Sequence, residues 1–169
     1  IKVLFIDMKW NTSSKEFENF LKFERNLSKN TISCYLADLK KFIDYLSLKN
    51  INYNPNQIST NLIREFLYSQ SKKIKSSTQG RLISSLNLFF DFMILEKIIV
   101  ENPLEKIDYP KIGTSIPTTL TTTGIDSLIA EAGLNKNNGL RNKTIIEVLY
   151  SCGLRVSELI DLKISDLFL

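Results

Sequence analysis

Histidine is absent from all 169 residues, and no other feature of the composition closes off as much chemistry. Without an imidazole the chain cannot build a Ser-His-Asp triad, a Cys-His pair or a His-ligated metal centre. Most hydrolase mechanisms are thereby excluded. Cysteine is scarce too: Cys34 and Cys152 lie far apart with no CxxC spacing. That argues against a disulfide framework or a zinc site and fits a reducing, cytoplasmic setting. No uncharged apolar run approaches the roughly 20 residues that a bilayer span requires. The apolar start, Ile1 to Asp7, is too short for a secretory h-region and no small-residue cleavage site follows it. Neither membrane insertion nor export is expected.

Charge is present but unevenly placed. Residues 1–110 hold 16 Lys/Arg against 12 Asp/Glu, whereas residues 111–169 hold 6 of each. The whole net charge of +4 therefore belongs to the first two thirds, which supports a polyanionic partner there. A Lys-, Asn- and Ile-rich composition set by the genome's base content is the bland alternative.

Apolar periodicity predicts helices. Ser13-Ser14-Lys15-Glu16 reads as a capping box, and Phe17, Phe20, Leu21 and Phe23 follow it. A first helix is expected over about 14–26. Leu27 to Asn30 breaks it, and Ile32, Tyr35, Leu36, Leu39, Phe42, Ile43 and Leu46 mark a second helix. Asn50 to Asn61, with Pro55, reads as a loop before a third helix on Leu62, Ile63, Phe66 and Leu67. A basic turn, Lys72 to Ser77, leads into a fourth from Thr78, carrying Leu82, Ile83, Leu86, Phe89, Phe90, Met93 and Ile94. Gly80 falls in its first turns, where a helical glycine costs least.

Three of the four prolines then fall in an aperiodic stretch, read as an extended interdomain linker over 103–119. Beyond it, Ile125, Leu128 and Ile129 suggest a short helix, and Ile145, Ile146, Leu149 and Tyr150 a longer one stopped by Gly153. Val156, Leu159 and Ile160 start another. Some 50 residues of short helices bury too little surface for an independent core, so residues 120–169 read as a domain cut short.

Gly139-Leu140-Arg141-Asn142-Lys143 and then Leu149-Tyr150-Ser151-Cys152-Gly153-Leu154-Arg155-Val156-Ser157-Glu158-Leu159 closely resemble the start of the catalytic domain of tyrosine site-specific recombinases of the Xer type, in the phage integrase family. Leu27 to Thr31 with Tyr35, Asp38-Leu39 and Phe42 resembles that family's core-binding domain. Asn102-Pro103, Ile116-Pro117 and Leu120-Thr121 resemble its interdomain stretch. The resemblance implies a mainly α chain: a four-helix, SAM-like, DNA-binding domain over 8–102, followed by the first helices of an incomplete mixed α+β catalytic domain. Met8-Lys9-Trp10 resembles a family start, which would make residues 1–7 upstream read-through.

The same resemblance carries a chemistry. It implies recombination of double-stranded DNA by strand cleavage and rejoining through phosphotyrosine, within a homo- or hetero-tetramer, with no metal, nucleotide or other cofactor and no small-molecule substrate. Arg155 takes the place of the arginine that stabilises the pentacoordinate phosphate. Gly153 would let one helix end as the next begins, leaving Arg155 at a helix start, and Glu158 three residues on could orient it. Outside the family such an arginine would be read as a surface residue. The family's lysine, His-x-x-Arg motif and nucleophilic tyrosine lie beyond this point, and none of the six tyrosines here matches the nucleophile. The chain alone is expected to be inactive, and Tyr35 and Tyr150 to be core aromatics.

For DNA contact the candidates are Lys29, Asn30 and Thr31 at the second helix start and Lys72, Lys73, Lys75 and Arg81 around the fourth. Plain helix capping and a solvated charged face are their competing readings. A basic residue is usual at Gly80 and Asn87, so weaker backbone affinity is expected. Thr122-Thr123-Gly124 stands where acidic residues are usual, which removes a capping glutamate. Chromosome dimer resolution is the task the resemblance implies, with integration of a phage or transposon, or non-catalytic DNA binding, as the alternatives.

Overall fold

The computed structural model describes residues 9–111, 113 and 118–167, so the segment 1–7 and Met8 lie outside the described residues. All regular structure among them is helical. The chain divides into two compact units, Ile1–Gly113 and Thr114–Leu169.

The first unit is a bundle of four helices. Helix α1, Trp10–Asn19, widens into a π-turn at Phe20–Glu24. It begins earlier than the sequence suggests, and the Ser13–Glu16 capping box does not form. Lys9 is the N-cap, and Ser13 is buried inside the helix with its hydroxyl donating to the Lys9 carbonyl at 3.4 Å. Trp10 explains the shift. Its ring lies 5.9 Å from both Phe42 and Phe89, and its indole N–H donates to the Tyr53 carbonyl at 2.8 Å. Aromatic pairs contribute about 0.5–1.5 kcal/mol beyond the area they bury, enough to draw the helix start upstream.

Helix α2, Lys29–Leu48, is capped by Ser28, whose hydroxyl accepts the Thr31 N–H at 3.3 Å. It buries Ile32, Leu39, Phe42 and Leu46, the stripe that the periodicity marks, and with them Asp38. A 3₁₀ turn at Pro55–Gln57 precedes α3, Thr60–Ser71, capped by Ser59. Helix α4, Ser76–Leu95, packs against both α2 and α3. It is buried on most of its surface, from Gly80 to Met93, as expected of a central helix. Phenylalanines dominate the core: Phe89 meets Phe17 at 5.3 Å, Phe17 meets Phe92 at 5.6 Å, and Phe42 meets Phe66 at 5.1 Å.

The stretch read as a linker from residue 103 starts as part of this bundle. Leu104 is buried in the core and Ile107 packs against it. Asn102 donates to Asp91 Oδ1 at 2.6 Å and to Asn87 Oδ1 at 3.0 Å, its own Oδ1 accepts the Leu104 N–H at 2.8 Å, and Arg64 donates to the Lys106 carbonyl at 3.3 Å. Prolines and missing periodicity suggest an extended spacer, but two apolar side chains and the hydrogen bonds to Asn87, Asp91 and Arg64 fasten the segment. Residues 112 and 114–117 of the same stretch lie outside the described residues.

The second unit contains α5, Thr122–Gly133, α6, Gly139–Cys152, and α7, Val156–Asp161. The missing glutamate does not prevent α5, because Thr121 Oγ1 accepts the Gly124 N–H at 3.1 Å and caps it. Helices α5 and α6 pack together, and a Cβ at Gly139 would collide with the Gly133 carbonyl. No apolar side chain of this unit is buried among the described residues. Tyr150, expected in a core, is consequently exposed.

Candidate functional site

Arg155 sits where one helix stops and another starts. Gly153 closes α6 at φ 63°, a left-handed conformation that glycine adopts without a Cβ penalty, and its N–H donates to the Leu149 carbonyl at 3.1 Å. Two residues later Arg155 is the N-cap of α7. The Leu149–Leu159 sequence therefore folds as its glycine requires.

Glu158 braces that arginine twice. The Arg155 N–H donates to Glu158 Oε2 at 2.7 Å, and Arg155 Nη1 donates to Glu158 Oε1 at 2.8 Å. The backbone N–H first, and the guanidinium second, hold the Glu158 carboxyl below the usual glutamate range. The sequence anticipates this orientation, but not its consequence for the helix start: the carboxylate already accepts the Arg155 N–H, one of those an external anion could take. The guanidinium itself is open to a phosphate. Its side chain is 82% exposed, and only Nη1 is engaged among the described residues.

The candidates in the first unit fall into two groups. At the start of α2, Thr31 is committed to capping through Ser28, with the two hydroxyls 2.9 Å apart. The capping reading accounts for Thr31. Lys29 and Asn30 are exposed, and Lys29 borders an open groove of about 760 Å³ with Lys22, Phe23, Ile32 and Leu36. At the junction of α3 and α4, Lys72 and Lys75 are the residues flanking the two helices, with Lys73 between them. All three are exposed, and the Lys72 ammonium lies 4.7 Å from the Tyr68 ring centre.

Arg81 differs from those lysines. Its Nη1 donates to Asp38 Oδ2 at 2.6 Å, across from α4 to α2. Lys41 donates to the other oxygen of the same carboxylate at 2.9 Å, and Ser85 Oγ to Oδ2 at 3.0 Å. Sequence reasoning singles out Arg81 but gives no site role to Asp38 or Lys41. The signal was available: Asp38 interrupts the apolar stripe between Tyr35 and Phe42 with a charge, and such a position demands a partner. Asn87, where a basic residue is usual, serves instead in the clasp around Asn102. Among the described residues no three acidic or cysteine side chains come together as a metal site.

Comparison with known proteins supplies the rest. The phage integrase N-terminal SAM-like domain matches residues 15–97, and the phage integrase family matches residues 118–169. A tyrosine recombinase of Thermosipho africanus is 40% identical over 157 residues, covering 89% of this chain and 53% of that protein. Tyrosine recombinase XerD of Staphylococcus epidermidis is 36% identical, over 92% of this chain and 53% of its own length. XerD of Oceanobacillus iheyensis is 39% identical, over 92% and 52%. The chain thus spans about half the length of these curated relatives.

Two solved structures share the fold. The lambda integrase dimer bound to a COC′ core site superposes with a TM-score of 0.73 at 20% identity, over 95% of this chain and 43% of that one. An integrase from mycobacterium phage Brujita gives 0.54 at 19% identity, over 86% and 46%. With family matches on both of its units and XerD relatives at such identities, the chain belongs to the tyrosine recombinases of the phage integrase family.

Proposed function

We propose that this chain carries the DNA-binding domain and the first catalytic arginine of a site-specific recombinase that cuts and rejoins DNA strands through a phosphotyrosine intermediate. The observation that carries the reading is Arg155: an exposed guanidinium held in one orientation by Glu158, at the position the family uses for its first arginine. Fixed in advance, it could receive two non-bridging oxygens of the scissile phosphate as negative charge builds on them, with little reorganisation at the moment of reaction. The first unit would hold the duplex through phosphate contacts from Lys29, Asn30, Lys72, Lys73, Lys75 and Arg81, which position the protein without reading bases. Cleavage and rejoining would occur in the cytoplasm within a recombinase tetramer on a double-stranded recombination site. Resolution of chromosome dimers, hence chromosome partition through the cell cycle, is the task favoured by XerD relatives at 36% and 39% identity.

A salt titration tests the binding half. Affinity of the chain for a fluorescent duplex should fall as salt rises, with a log–log slope of about 0.9 per phosphate neutralised. Replacing Lys72, Lys73 and Lys75 together by Ala should flatten that slope by up to about three such contacts. An unchanged slope would place the DNA elsewhere, and no binding at any salt would refute the reading.

A further inference from the structure

Asp38 has no solvent exposure, yet it occupies the apolar stripe of α2. Burying a carboxylate there is costly unless its charge is matched, and an apolar residue of similar volume would pack without that cost. What the carboxylate holds in place gives it a purpose. Its two oxygens take three donors from two helices: Lys41 Nζ at 2.9 Å on Oδ1, and Arg81 Nη1 at 2.6 Å with Ser85 Oγ at 3.0 Å on Oδ2. The Arg81 and Lys41 side chains are 41% and 48% exposed, so each is anchored to a buried group while reaching solvent. One buried anion against two half-exposed cations leaves a net positive charge at the surface. Arg81 commits only Nη1 among the described residues, and its other N–H groups stay available to a second oxyanion.

We propose that Asp38 is a positioning residue that holds Arg81 of α4 and Lys41 of α2 side by side as a clamp for one backbone phosphate of duplex DNA. The inference rests on the DNA-binding reading above and adds Asp38 and Lys41 to it. A free arginine or lysine loses side-chain freedom when it meets a phosphate, whereas these two have lost much of it on folding. Positioning and simple charge make opposite predictions. A carboxylate acting only through its charge repels phosphates, so removing it should strengthen binding; a carboxylate that positions two cations should weaken binding when removed.

The test uses the full chain and a fluorescein-labelled duplex, with anisotropy read over a range of salt concentrations for wild type, Asp38→Asn, Arg81→Ala and the double variant. Asp38→Asn is expected to weaken binding about 3- to 10-fold and to lower the log–log salt slope by about one contact. In the Arg81→Ala background the same change should cost clearly less than in wild type, because only Lys41 is then left for Asp38 to act through. Thermal melts followed by circular dichroism establish that each variant is folded at the assay temperature. Should Asp38→Asn unfold, Ser85→Ala removes one donor to the carboxylate while keeping every charge. It should then show a smaller loss that Arg81→Ala likewise reduces. Tighter or unchanged binding by folded Asp38→Asn overturns the clamp while leaving the DNA-binding reading intact, and so does an equal loss in both backgrounds. A wild-type chain that does not bind the duplex overturns both.

Discussion

The two units of this chain are built from similar amphipathic helices, yet they stand at opposite extremes of burial. In the first, Phe17, Phe42, Phe66, Phe89 and Phe90 are fully enclosed. In the second, Leu140 is 81% and Ile164 86% exposed, and no apolar side chain is buried among the described residues. Helix formation therefore does not distinguish them. Apolar surface removed from water does, since that term is the main one opposing the conformational entropy of the chain. The first unit holds stability and the candidate phosphate contacts, while the second holds the candidate catalytic arginine on helices with little core of their own.

The sharpest way to break that comparison is to cut into each unit in turn. Phe89→Ala removes a ring that touches Trp10, Phe17 and Phe90, and should destabilise the folded chain by about 3–5 kcal/mol. Leu140→Ala, at an exposed position, should change stability by no more than about 0.5 kcal/mol. Denaturant melts of both variants by circular dichroism check the pair. Equal effects would mean that the second unit has a core after all.

Arg155 separates chemistry from binding. In a full-length recombinase carrying these residues, Arg155→Ala should leave site binding within a few-fold while strand cleavage falls by about 100- to 1,000-fold, or roughly 2.7–4 kcal/mol of transition-state stabilisation. Arg155→Lys keeps the charge but not the fork and should stay impaired. Filter binding and single-turnover cleavage on one substrate read the two quantities. Parallel losses would make Arg155 a ground-state phosphate anchor.

The smallest effect belongs to the brace. Because Glu158 titrates below the usual glutamate range, the folded chain binds fewer protons there than the unfolded one. Its contribution is fully present above the ordinary glutamate value of about 4.3 and is lost as pH falls through the lowered one. An NMR titration of the Glu158 side-chain carbon should show a midpoint below that of a free glutamate. In Arg155→Ala the midpoint should move upward but remain partly lowered, since the backbone N–H still donates.

Much of this was legible because it is local. The stripe Ile32, Leu39, Phe42 and Leu46 states its own period, and Ser28 and Gly153 carry cap chemistry that needs no distant partner. Glu158 reaches Arg155 because three residues is one helical step. The misplaced start of α1 arose where a local signal met a stronger distant one: Ser13 and Glu16 read as a cap, but the indole of Trp10 finds Phe42 and Phe89, far along the chain. For Tyr150 the failure is of another kind. An apolar helical face says that a side chain can be buried, not that anything covers it.

By itself, then, the sequence determined the helices, their polar punctuation and the Gly-Leu-Arg step, since each depends on residues within about one turn of one another. It also supplies no imidazole among these 169 residues. Only the tertiary structure decided that residues 102–107 fasten to the bundle, that α1 starts at Trp10, and that the buried carboxylate of Asp38 meets Arg81, 43 positions away. Those features depend on which surfaces come together, and a buried charge or a docked strap is stable only where its partner from another helix arrives.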